Sequence, residues 1–119
     1  LEDQSNEEFE EFCKLLGLVS PRDTEHTTVR VFKIVVRRFP NQEISSTDLA
    51  QRADLNRLTA MHHLNRFVQA GLLEKQGPKY FFRRDHLDDV IEDMEKEAEE
   101  AFARARKLAH VMRRKINDK

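Results

Sequence analysis

Residues 53–73 read ADLNRLTAMHHLNRFVQAGLL, with His62 and His63 adjacent in the middle of a run that has helical spacing. Imidazoles in such a place have three uses: holding a metal, moving a proton, or meeting something outside the protein. Metal binding does not suit the spacing, because neighbours on a helix point about 100° apart, whereas paired ligands sit three or four apart, as in His-x-x-x-His. Cys13 is the only cysteine, so no thiolate cluster can complete a site, and His86 and His110 lack a ligand partner at suitable spacing. Acid–base catalysis suits it no better: no Ser or Cys nucleophile stands in a motif, and no glycine-rich loop is present to cradle a phosphate. No metal, no cofactor and no enzymatic activity are expected.

Outward recognition does suit the run. If Ala60, Leu64, Phe67 and Val68 form the inner stripe, His63 borders it as a packing residue. His62 lies about 100° further round, with Asn56, Arg57, Thr59 and Arg66. These side chains match the edges of DNA bases: Arg57 offers two parallel donors to guanine, Asn56 pairs with adenine, and the Thr59 methyl lies on thymine. Arg66, lower on the helix, suits a phosphate. The plain alternative is a solvated face of the kind every soluble helix has, and Leu58 and Met61 interrupt the polarity.

Composition bounds what can hold this helix in place. A chain of 119 residues is one small domain, too short for a two-domain enzyme with an enclosed cleft. With 36% charged residues, three Gly and three Pro, it is expected to be soluble and mostly helical. No apolar run approaches a membrane span, and the acidic start LEDQSNEEFEEF is unlike a signal peptide, so a cytoplasmic protein is expected. The start at Leu1 leaves open a processed or trimmed product. The net charge of -1 hides a segregation: residues 1–29 carry net -6, residues 30–84 net +7 and residues 85–119 net -2. A basic block inside a near-neutral chain suits a polyanion, and also an acidic protein partner.

Periodicity supplies the elements. SNEEFEEFCKLLGL places Phe9, Phe12, Cys13 and Leu16 on one face of a helix capped by Ser5 or Asn6 and ended by Gly17. Cys13 reads as a small, half-buried hydrophobe that oxidation could link only across a dimer. After Pro21, Val29, Phe32, Val35, Val36 and Phe39 predict a second helix of about sixteen residues, stopped by Pro40 with Asn41 in the turn. Ser45 and Asp48 make a capping box for STDLAQRA, in which Leu49 and Ala50 face inward. A three-residue turn, Ala53 to Leu55, then leads to the histidine helix, capped by Asn56 and ended by Gly71. LLEKQGPKYFFRR has period two and predicts a hairpin around Gly77 and Pro78. It carries Lys75, Lys79, Arg83 and Arg84 on or beside it, and one or two of Tyr80, Phe81 and Phe82 should close the core beneath it. In the last segment Leu87, Ile91, Met94, Ala98, Ala101, Ala105, Leu108 and Met112 form a heptad seam that calls for a partner helix, although packing on this chain's own first helices is the alternative. The chain thus divides into an amphipathic helix (1–20), a central domain (21–84) and a coiled-coil-like dimerisation helix (85–119).

A capped short helix, a three-residue turn, a longer helix and a hairpin follow one another in the order of a winged helix-turn-helix. The stretch SSTDLAQRADLNRLTAMHHLNRFVQAGLLEKQGPKYFFRR resembles ArsR-type and related archaeal winged-helix regulators. The residues that carry the likeness are Leu49-Ala50 in the first helix, His63-Leu64 late in the second, and Gly71-Leu72-Leu73 entering the wing; it covers residues 29–84. The preceding FCKLLGLVSPRD is similar, more weakly, to the leading segment of TrmB-like archaeal regulators. Asp54 departs from the Gly common in the turn, but Asp tolerates a left-handed backbone. The resemblance implies a mostly α fold with a small β-hairpin wing and a long C-terminal dimerisation helix. It implies a homodimeric transcriptional regulator with a recognition helix over 56–70 in the major groove of double-stranded DNA. The wing over 73–84 would meet the backbone or minor groove, and His63 would pack against the preceding helix. Metal-sensing members need several Cys, His or carboxylate ligands together, so metal sensing is not expected of this chain. A second class stays open: a winged-helix module for protein–protein interaction or complex assembly, without sequence-specific DNA reading.

Overall fold

The computed structural model describes residues 2–19, 26–37 and 42–118, with side chains from Glu7 onward. Five helices and three short strands form among the described residues. They are α1 (Glu2–Leu15), α2 (Thr27–Val36), β1 (Ile44–Ser45), α3 (Ser46–Ala53), α4 (Arg57–Ala70), β2 (Leu73–Gln76), β3 (Lys79–Phe82) and α5 (Leu87–Asn117). Two polar side chains start the central pair. The Ser45 hydroxyl accepts the Asp48 amide at 3.1 Å and the Asn56 Oδ1 accepts the Thr59 amide at 2.8 Å, each from an extended backbone. Such a cap is worth about 1 kcal/mol, because it satisfies an amide that the helix cannot. Between the two helices Asp54 takes the left-handed conformation, with φ 54° and ψ 51°, and the Arg30 guanidinium donates to the Ala53 carbonyl at the negative end of α3.

The strands make an antiparallel sheet of order β1-β3-β2, with Ile44 opposite Tyr80 and Leu73 opposite Phe82. Alternation along β3 buries Tyr80 and Phe82 and leaves Phe81 half-buried, as the period of two requires. Phe32 anchors the core: its ring stacks on Phe12 at 5.1 Å and meets Phe9 and Phe67 edge-on at 5.9 Å, joining α1, α2 and α4. Cys13 is fully buried in this cluster, not half-buried as expected, and its burial removes it as a link across a dimer.

Several expectations are corrected. Helix α1 begins at Glu2, so Ser5 and Asn6 lie inside it and do not cap it; an acidic opening suits the positive pole of a helix. Helix α2 spans 10 residues, not sixteen, while Phe39, Pro40 and Asn41 lie outside the described residues. Val31 is buried and Val36 only half-buried, because α2 is covered by α1 on one side and α3 on the other, which widens its buried face beyond one stripe.

Helix α5 has two parts. Val90 is fully buried, and Leu87, Ile91 and Met94 pack against the core of the same chain. These three lead the heptad seam read from the sequence, and their docking here withdraws them from any partner. From Glu95 to Asp118 every side chain is exposed. At 31 residues the helix is roughly 46 Å long and runs well past the domain, so that the longest dimension of the molecule is 58 Å. No helix among the described residues is long and apolar enough to cross a membrane.

Gly71 is the joint between α4, the hairpin and α5. Its φ is 93°, and a Cβ there would lie 3.4 Å from Met94 Cγ. Gly71→Ala puts an L-residue in the left-handed region, costing about 1–2 kcal/mol, with its Cβ in van der Waals contact with Met94. Urea denaturation is expected to show a stability loss of roughly that size; an unchanged midpoint would mean that residue 71 is not held in the left-handed conformation.

Candidate nucleic-acid interface

Helix α4 turns Ala60, Leu64 and Phe67 to the core, and Leu58, His62 and Gln69 point the opposite way, exposed, with Asn65 and Arg66 half-buried on the flanks. His63 is half-buried beside the core, and His62 is fully on the outside, as the spacing predicts. Arg57 is exposed but leans toward α3, where its Nε donates to the Ser46 hydroxyl at 3.3 Å. That bond holds the guanidinium by its Nε while the residue stays exposed. Thr59 is half-buried. Asn56 is exposed, but its Oδ1 serves as the helix cap, so a two-point pairing with adenine competes with the cap.

A polar contact ties the hairpin to this helix. The Tyr80 hydroxyl donates to Asn65 Oδ1 at 3.0 Å, while the ring is buried and Lys75 Nζ stands 5.6 Å from its centroid. Tyr80 thus sets the distance between the hairpin and α4, and carries Lys75 on the outer side. Lys79 is exposed at the turn. Arg57, His62, Arg66, Lys75 and Lys79 therefore lie on α4 and the hairpin joined to it. Arg83 and Arg84 do not belong with them. Arg83 makes a two-point ion pair with Glu97 at 2.8 and 3.1 Å, and Arg84 holds both oxygens of Asp93 at 3.2 and 3.1 Å. The hydrogen bond to Glu97 holds the Arg83 guanidinium above its ordinary pKa. Both arginines read from the sequence as DNA contacts instead clamp α5 to the end of the hairpin. The acidic first half of α5 runs beside them, which the hairpin's own sequence does not reveal.

Helix α4 has no acidic residue, in a chain with 22. The residue that sequence reasoning undervalued is Leu58, 65% exposed in the first turn and central to the outward face. The signal was present in the helical arithmetic, since Leu58, His62 and Gln69 fall within about 40° of one another. Among the described residues no group of three or more His, Cys, Asp or Glu side chains is placed to hold a metal ion. No protein-family model matches the sequence, and no curated protein matches it at a significant level.

Proposed function

We propose that this protein is a sequence-specific, double-stranded DNA-binding transcriptional regulator of the winged helix-turn-helix type, resembling ArsR-like and TrmB-like regulators and acting in the cytoplasm as a homodimer. In this reading α3 and α4 are the helix-turn-helix, α4 enters the major groove, and β2 and β3 form the wing. The projecting half of α5 pairs with its copy in a second chain. No catalysis and no cofactor are involved. The observation that carries the reading is the carboxylate-free α4, joined to α3 by a three-residue turn with a left-handed Asp54 and presenting His62, Arg66 and an oriented Arg57 outward. A backbone of phosphates rewards such a face, and an acidic residue on it would be repelled.

A second reading, a winged-helix module that binds protein, draws on the exposed Leu58 and half-buried Met61, and on the ion pairing of Arg83 and Arg84. Selection of genomic fragments by the purified protein, followed by fluorescence anisotropy, separates the two. Arg57→Ala is expected to cost about 1–3 kcal/mol on the selected site and to relax one base preference, whereas Lys79→Ala weakens every sequence alike. Equal losses on all sequences for Arg57→Ala would demote Arg57 to a phosphate contact, and the absence of any enriched fragment would favour the protein-binding module.

A further inference from the structure

We infer that Leu58 reads the C5-methyl group of a pyrimidine, a thymine in ordinary DNA; the inference rests on the DNA-binding reading of α4 and names what that face selects. Three observations converge on it. Leu58 lies in the first turn of α4, directly opposite the core-facing Ala60, Leu64 and Phe67, and is 65% exposed. In a helix seated in the major groove the amino-terminal residues reach the base edges, so Leu58 is the side chain set nearest them. Its neighbours stand to either side of that central place: Arg57 lies on the α3 side, where it bonds Ser46, and Thr59 is half-buried. Met61, three residues on and half-buried, adjoins Leu58 on the helix surface and widens the apolar strip.

The chemistry of the groove then leaves one favourable contact. Guanine, cytosine and adenine present polar donors and acceptors there, and pressing a leucine against them strips their water without replacing the hydrogen bonds. Thymine alone among the four bases presents a methyl group, which a branched apolar chain can cover. The absence of any carboxylate on α4 distinguishes this strip from one that docks on a basic protein surface. 5-Methylcytosine carries the same methyl at the same position, so the base identity is a matter for the test.

On the selected duplex, each thymine is replaced in turn by deoxyuridine, which removes the methyl and leaves the pairing edge and groove acceptor in place. Wild-type protein is expected to lose roughly fourfold in affinity at one thymine per half-site and roughly fifteenfold when both copies are replaced, the worth of one covered methyl. Leu58→Ala and the size-matched Leu58→Gln should bind the thymine and deoxyuridine duplexes equally at that position. Both variants sit on an exposed helix position, and circular dichroism checks that they are folded. Wild-type protein should also prefer 5-methylcytosine to cytosine there, whereas a preference for thymine over 5-methylcytosine would assign the pairing edge to another residue and the methyl still to Leu58. Equal deoxyuridine losses in wild type and both variants at every position, with specific binding intact, would overturn the inference alone. Failure to bind any duplex would overturn the DNA-binding reading with it.

Discussion

Ala101→Glu is expected to give a folded monomer that has lost most of its affinity for DNA. The expectation starts from exposure. Phe102, Leu108, Met112 and Ile116 are 72%, 50%, 57% and 67% exposed, and with Ala98, Ala101 and Ala105 they make an apolar stripe along the projecting half of α5. The stripe continues the face whose first members, Leu87, Val90, Ile91 and Met94, dock on the core. An uncovered stripe of this length on a lone helix calls for a partner helix. Charge indicates a second copy of the chain, reversed. Residues 85–103 carry net -8 and residues 104–119 net +6, so a parallel pair would align like charges, whereas an antiparallel pair sets each acidic half against the other's basic half. The helix dipole also favours acid first and base last, but only within the terminal turns.

In the proposed dimer a two-fold axis among Ala98, Ala101 and Ala105 would bring the two helices close, and a glutamate there would face its own copy. The domain itself should survive, because Val90, Met94 and the Arg83–Glu97 and Arg84–Asp93 pairs anchor α5 ahead of residue 101. Separating two linked binding units forfeits on the order of 10²–10⁴ in affinity. Light scattering should report the monomer, with an unchanged circular dichroism spectrum. In the cross-linking counterpart, Ala101→Cys should join rapidly to its copy, undisturbed by the buried Cys13. Cross-linking through Lys115→Cys alone would show a parallel pair and end the antiparallel arrangement.

What the sequence made legible was local. Ser45 and Asn56 announce their helices because a cap needs one polar side chain and the amide three residues on. Asp54 in the turn and the pairing of the hairpin strands follow from short-range backbone rules, as does the inward aim of Tyr80 and Phe82. What it hid was contact between distant segments. Strand β1 has two residues, too few for any period, and exists because Ile44 and Ser45 find the edge of β3. The heptad seam was visible as a pattern, but nothing in a pattern says that its first two turns are covered by the same chain. The ion pairs of Arg83 and Arg84 were hidden for a related reason: the hairpin's own sequence does not show which carboxylates from elsewhere reach its cations.

Those ion pairs set the size of the remaining prediction, the salt dependence of DNA binding. Each phosphate neutralised releases condensed counterions and contributes about -0.9 to the slope of log affinity against log salt. With Arg57 and Leu58 directed at bases, the cations left for phosphates are Arg66, Lys75 and Lys79, so a dimer makes about six such contacts and the slope should lie near -5. Affinity should then fall by roughly 10³ between 50 and 200 mM salt. If Arg83 and Arg84 met phosphates as well, the count would rise to about ten and the slope to about -9. Their carboxylate partners stand in the way: Glu97 holds Arg83 at two points, and Arg84 bridges both oxygens of Asp93, so a phosphate has to displace an ion pair already formed. Titration by anisotropy at a series of salt concentrations measures the slope directly. Asp93→Asn combined with Glu97→Gln frees both guanidinium groups and should steepen the slope toward -9, with tighter binding at low salt. A wild-type slope already near -9, unchanged in that double variant, would return Arg83 and Arg84 to the DNA surface, and a slope near zero would remove the phosphate backbone from the account altogether.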